Sequence, residues 1–128
     1  MRRLFLIALL FVLATACGHK DKGFMPDRLL SEQEMISIMT DVQIIEADIN
    51  YQKTQVNEPD YVPRDYKALS QSYYGQLFEH YGITDSIFSQ NIRYYTEHPA
   101  ILERIMDSVM QRLVKEQSTS SAQQQSNH

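Results

Sequence analysis

The chain has 128 residues, twelve basic against sixteen acidic side chains, a formal net charge of −4 and one cysteine. That acidic balance excludes the basic patches through which nucleic acid is bound and adhesion to anionic headgroups. A lone cysteine excludes a disulfide framework and a thiolate metal cluster.

At the N-terminus Arg2 and Arg3 precede the apolar run LFLIALLFVLATA, which ends at Cys17. Crossing a bilayer takes roughly 20 apolar residues, so this run is too short to span and has the order of an export signal. A signal peptide is expected over residues 1–16. The stretch Leu13-Ala14-Thr15-Ala16-Cys17 resembles a bacterial lipobox, with Cys17 as the residue to be lipidated. Acyl chains contribute about 0.8 kcal/mol per buried methylene, and several chains make a lasting anchor. Gly18 follows Cys17 where an inner-membrane retention signal would have Asp, so the expected address is the outer membrane, facing the periplasm. Loss of Arg2 and Arg3 with the leader leaves ten basic residues against sixteen acidic ones, a balance of about −6. Lipidated Cys17 and a polar tether are expected over residues 17–28, a single helical domain over 29–117 and a disordered tail over 118–128, where STSSAQQQSNH carries no apolar side chain larger than alanine.

Within the domain the helix punctuation is legible. Ser31 and Glu34 form a capping box, with Leu30 and Met35 placed as a hydrophobic staple, so a helix is expected from Glu32. Met35, Ile38, Met39, Val42, Ile45 and Ile49 give it one apolar stripe to about Tyr51. The segment 54–64, with two prolines, reads as a loop. A second helix from about Asp65 presents Tyr66, Leu69, Tyr73, Leu77 and Tyr81 and stops at Gly82. Thr84 caps a third, striped by Phe88, Ile92 and Tyr95, which His98-Pro99 interrupts. The fourth carries Ile101, Leu102, Ile105, Val109 and Leu113. Four helices with short links predict an all-α bundle.

Chemistry is sparse. Glu46 projects about 40° from Val42, inside the apolar stripe, where a carboxylate needs a partner or a proton. It reads as a buried polar residue reaching a tyrosine hydroxyl or an arginine such as Arg93, or alternatively as a general acid or base. His80 lies between Tyr73 and Leu77 in angle and sits where a cation favours the helix C-terminus. Asp41 and Asp48 read as a solvated edge. The sequence has no HExxH, no acidic calcium loop and no glycine-rich phosphate loop, so no metal and no cofactor is expected. Eight tyrosines stand against no tryptophan. Tyr74, Phe78 and Tyr94 fall off the main stripes and are the candidates for an exposed aromatic patch that binds a protein partner.

Tyr73-Tyr74, the run ITDSIF from Ile83, Asn91-Ile92-Arg93-Tyr94-Tyr95 and His98-Pro99, with the N-terminal signal and the helix holding Met35 to Glu46, resemble the small bacterial lipoproteins grouped as a domain of unknown function (DUF4296). The resemblance covers most of residues 26–113. It implies an all-helical, lipid-anchored envelope protein of Gram-negative bacteria, with no established activity and no catalytic residues. The leading expectation is a non-enzymatic accessory protein that docks a protein partner at the outer membrane. The alternatives are a small hydrolase or lyase using Glu46 and His80 between the first two helices, and a periplasmic holdase.

Overall fold

The structure is a computed structural model and describes residues 23–126. Its helices, in chain order, are α1 (Glu32–Thr54), α2 (Tyr66–Tyr81), α3 (Asp85–Thr96) and α4 (Pro99–Ser126), with a 3-10 turn (Gln55–Asn57) closing α1. The described residues form no strand, and the expected all-α bundle is what they build. The leader, the lipobox and Cys17 lie outside the described residues.

Each helix begins and ends for a local reason. Ser31 accepts from the Glu34 N–H at 3.2 Å while the Glu34 carboxylate accepts from the Ser31 N–H at 2.8 Å, the capping box in full. That bond holds the Glu34 carboxyl below its usual range, helped by Arg28. Both staple residues, Leu30 and Met35, are wholly buried. Asp65 caps α2 by accepting from the Lys67 and Ala68 N–H groups, and Thr84 caps α3 through the Ile87 N–H. Gly82 leaves α2 with φ +61°, the left-handed turn that a β-carbon would strain. At the α3–α4 break the His98 ring donates from Nδ1 to the Tyr94 carbonyl at 2.7 Å, which satisfies an end carbonyl of α3 before Pro99 opens α4.

α1 is the central helix, packing against α2 and α4, while α3 packs on α4. Tyr81 to Asp41 and Tyr74 to Glu46 pair in opposite chain directions, so α1 and α2 are antiparallel. Arg104 to Glu32 and Arg112 to Ser37 rise together, so α1 and α4 are parallel. The main core gathers at the N-terminal half of α1 around Leu30, Met35, Ile38, Tyr95, Ile105 and Val109. The expected stripe understates α1: Ile36 and Thr40, on its far side, are also buried, because the helix is covered on two sides. Thr40 satisfies its hydroxyl by donating to the Ile36 carbonyl at 2.7 Å.

Two expectations are corrected. The segment 23–28 is not free tether. It lies along α3 as a strap, with the Phe24 N–H on Glu97 Oε2 at 3.0 Å, the Arg93 guanidinium 4.1 Å above the Phe24 ring, and Asp27 and Gln90 exchanging two hydrogen bonds. Buried Asn91 fixes its inner end, accepting from the Leu30 N–H at 2.8 Å and donating to the Arg28 and Ile87 carbonyls at 2.7 and 2.8 Å. Tyr95 adds a bond from its hydroxyl to the Leu30 carbonyl at 2.5 Å. The C-terminal stretch expected to be disordered from Ser118 instead continues α4 to Ser126. No glycine or proline interrupts it, and Ser118, Thr119, Ser120 and Ser121 turn their hydroxyls onto carbonyls three or four residues back.

Asn91→Ala removes three bonds and leaves the Leu30 N–H and the Arg28 carbonyl unpaired in the core. The expected loss is about 3 kcal/mol of unfolding free energy, read by urea denaturation; a loss under about 1 kcal/mol would show that water takes the amide's place.

Candidate functional site

Three tyrosines of α2 reach across to α1 and form a ladder. The Tyr66 hydroxyl donates to the Gln52 carbonyl at 3.0 Å, Tyr74 to Glu46 Oε1 at 2.5 Å and Tyr81 to Asp41 Oδ2 at 2.6 Å. Tyrosine suits this work because its ring packs against the helix while its hydroxyl meets a polar partner at the interface edge. Bonds to a charged acceptor are about twice as strong as neutral ones. Partial burial, and secondarily the neighbouring carboxylate, push both Tyr74 and Tyr81 up to about 12.

Glu46 therefore meets a tyrosine hydroxyl and not Arg93, whose guanidinium pairs with Glu97 at 3.5 Å. Asp41, expected at a solvated edge, is half-buried as the acceptor of Tyr81. Asp48 does sit at that edge, exposed and bonded by the Gln52 amide at 2.8 Å.

Beside the ladder, α1 and α2 leave a groove of about 480 Å³ that opens to solvent. Ile45 and Leu77 lie deepest, Tyr73 and His80 on α2 and Asp41 and Asp48 on α1 form its walls, and Ile44 and Gln76 stand at its outer lips. The spacing 41, 44, 45, 48 is one helical face, as is 73, 76, 77, 80. Ile44, at the outer lip, remains 43% exposed. The volume falls in the range of small binding clefts.

The remaining candidates fall elsewhere. His80 is exposed and not a buried polar group, its ring edge-on to Tyr81 at 5.0 Å. It borders the groove, whereas Glu46 does not line it and holds Tyr74 instead, so an acid–base pair of Glu46 and His80 is not assembled there. Tyr74, Phe78 and Tyr94 do not make a shared exposed patch. Phe78 is buried, with its ring 5.9 Å from Tyr74 and 5.4 Å from Phe88, joining α2 to α3. Tyr94 stacks on His98 at 4.2 Å and meets Tyr95 edge-on. Among the described residues no group of three His, Cys, Asp or Glu side chains is placed to hold a metal ion, and no helix is long and apolar enough to cross a membrane.

The groove was missed in the sequence because Ile45, Tyr73 and Leu77 belong to the same stripes as the core. The readable signal is Ile44, an isoleucine on the side of α1 away from the stripe, at the i+3 position from Asp41.

The family model described as a domain of unknown function (DUF4296) matches residues 26–119. No curated protein and no solved structure matches the chain.

Tyr74→Phe and Tyr81→Phe are each expected to cost about 1–2 kcal/mol, measured by denaturant unfolding. Both phenols are held neutral in the fold to about 12, above the ordinary value of 10. Their contribution is thus complete below about pH 10 and disappears as pH climbs to about 12. The double Phe variant should lose less stability across that interval than the parent; an identical alkaline decline in both proteins would remove the ladder from this account.

Proposed function

The chain belongs to the DUF4296 family, and from that premise we propose that it is a lipid-anchored accessory protein of the bacterial envelope, non-enzymatic, which docks a protein partner on the open face of α1 and α2. The observation that carries this reading is the groove: Ile45, Tyr73 and Leu77 line it within, and Ile44, nearly half exposed, stands at its lip, on helices otherwise fastened to each other by tyrosine bonds. Exposed apolar surface in a small acidic domain costs solubility unless something covers it. The rigid ladder beside it keeps the two banks at a fixed separation, so a partner meets a pre-formed surface and does not have to order it.

Anchoring is the second half of the proposal. The basic leader, the short apolar run and Cys17 after small residues support acylation at Cys17, and Gly18 supports delivery to the outer membrane with the domain in the periplasm.

Two measurements test it. Cys17→Ser should move the protein from the membrane fraction to the soluble fraction and abolish incorporation of labelled palmitate; retention in the membrane would refute the anchor. A photo-crosslinker at Ile44 should trap one discrete species in intact envelopes, whereas the same probe at exposed Gln111 should not; absence of any species at Ile44 would count against docking there.

A further inference from the structure

The groove also carries information about what lies in it, and this deepens the docking reading, on which it rests. Its floor is aliphatic and aromatic, so the occupant must bring apolar side chains. Its length is set by Asp41 and Asp48, seven residues or about two turns apart on α1, close to 10 Å along the axis. That is the span of an apolar face repeating at i, i+3, i+4 and i+7 on a facing helix.

Charge narrows the class. No lysine or arginine lines the groove, and one bank holds two carboxylates. Asp41 receives the Tyr81 hydroxyl and Asp48 the Gln52 amide, both neutral donors; Arg112, bonded to Ser37 one turn before Asp41, offsets part of the charge at that end, and Asp48 keeps its own. Opposite them on α2, His80 stands level with Asp41 and Gln76 about a turn from the level of Asp48. A fatty acid or anionic lipid would bring like charge to this rim, and a second copy would bring a net acidic surface to it. A segment with cations flanking its apolar face meets the rim with opposite charge and the floor with its own stripe.

We propose that the α1–α2 groove binds a basic amphipathic helix of a protein partner, with leucine-sized side chains over Ile45, Tyr73 and Leu77 and lysine or arginine side chains two turns apart against Asp41 and Asp48. The apolar floor supplies affinity, and the two carboxylates set direction and register.

The test uses the full chain as purified from its host envelopes and a defined probe. The probe is a fluorescent 15-residue helical peptide with Leu at i, i+3, i+4 and i+7 and Lys on the flanks; its twin carries Glu in place of each Lys. Anisotropy titration should show the Lys peptide binding at least about tenfold more tightly than the Glu twin, with affinity falling as salt is raised. Asp48→Lys should weaken the Lys peptide about tenfold and improve the Glu twin. Asp48 lies outside the tyrosine ladder, so unchanged circular dichroism will show that the fold is kept; Ile44→Asp serves as a second variant and should weaken both peptides. Equal binding of the twins, or indifference to Asp48→Lys, overturns the proposal. If neither peptide binds but the crosslinker at Ile44 still traps a discrete species in envelopes, the basic helix is refuted and docking stands. If that species is a second copy of this chain, the basic helix is likewise refuted. If there is neither peptide binding nor a crosslink, both fall together.

Discussion

A single buried amide holds this fold in register. Asn91 uses its oxygen and both hydrogens of its amide within the core, and two of its three partners lie in the strap before α1, not on its own helix. A buried polar group with every bond satisfied specifies one arrangement, since any slip of the strap by one residue exchanges donors for acceptors and leaves them unpaired. The strap in turn delivers Leu30 to the core and Ser31 to the cap of α1, so the start of the central helix is set from sixty residues away in sequence. Tyr95, one turn further along α3, fastens the Leu30 carbonyl and doubles the attachment.

The other end of the molecule is held by a different device. The main core lies at the N-terminal half of α1, and beyond Val42 the partner of α1 is α2. Two helices alone bury little surface, and here the ladder from Tyr66, Tyr74 and Tyr81 adds directional bonds to that modest packing. Exposed ion pairs such as Arg28–Glu34 and Arg104–Glu32 contribute little by comparison, because water screens them. The groove lies where the α1–α2 pair is left uncovered, beside Asp41, which both accepts from Tyr81 and lines it.

Local chemistry made the boundaries readable. Ser31, Asp65, Thr84, Gly82 and Pro99 each act within a few residues of the helix end they mark, and α4 is legible from Ile101 to Leu113, where its stripe faces one core. Tertiary context hid the rest. Ile36 and Thr40 are buried because α4 covers a face of α1 that the strongest stripe ignores. Phe78 was read as surface because Leu77 and Tyr81 already accounted for one side of α2, whereas Phe88 on α3 covers a second side. Asn91, a polar residue three after Phe88 and four before Tyr95, stands inside a core stripe and asks for partners. Partners sixty residues distant cannot be read from spacing along a helix. For the site, the sequence leaves Glu46 a choice of tyrosine or arginine that only the packing of α1 on α2 decides, and the open groove depends on how two helices are spaced, which periodicity does not encode.

Docking of the strap has a mechanical consequence. With the chain fastened from Phe24 onward, the stretch between Cys17 and Gly23 has a contour length of only about 20 Å. A domain acylated at Cys17 would ride close to the headgroups like a buoy on a short mooring line, unable to sweep the periplasm. The fastened end of the strap lies at Glu97, beside the start of α4, and α1 extends about 34 Å from its own first turn, which Arg104 joins to α4. α4 starts beside that fastened end and runs about 42 Å parallel to α1, so its C-terminal end, with the hairpin tip short of it, reaches farthest from the leash.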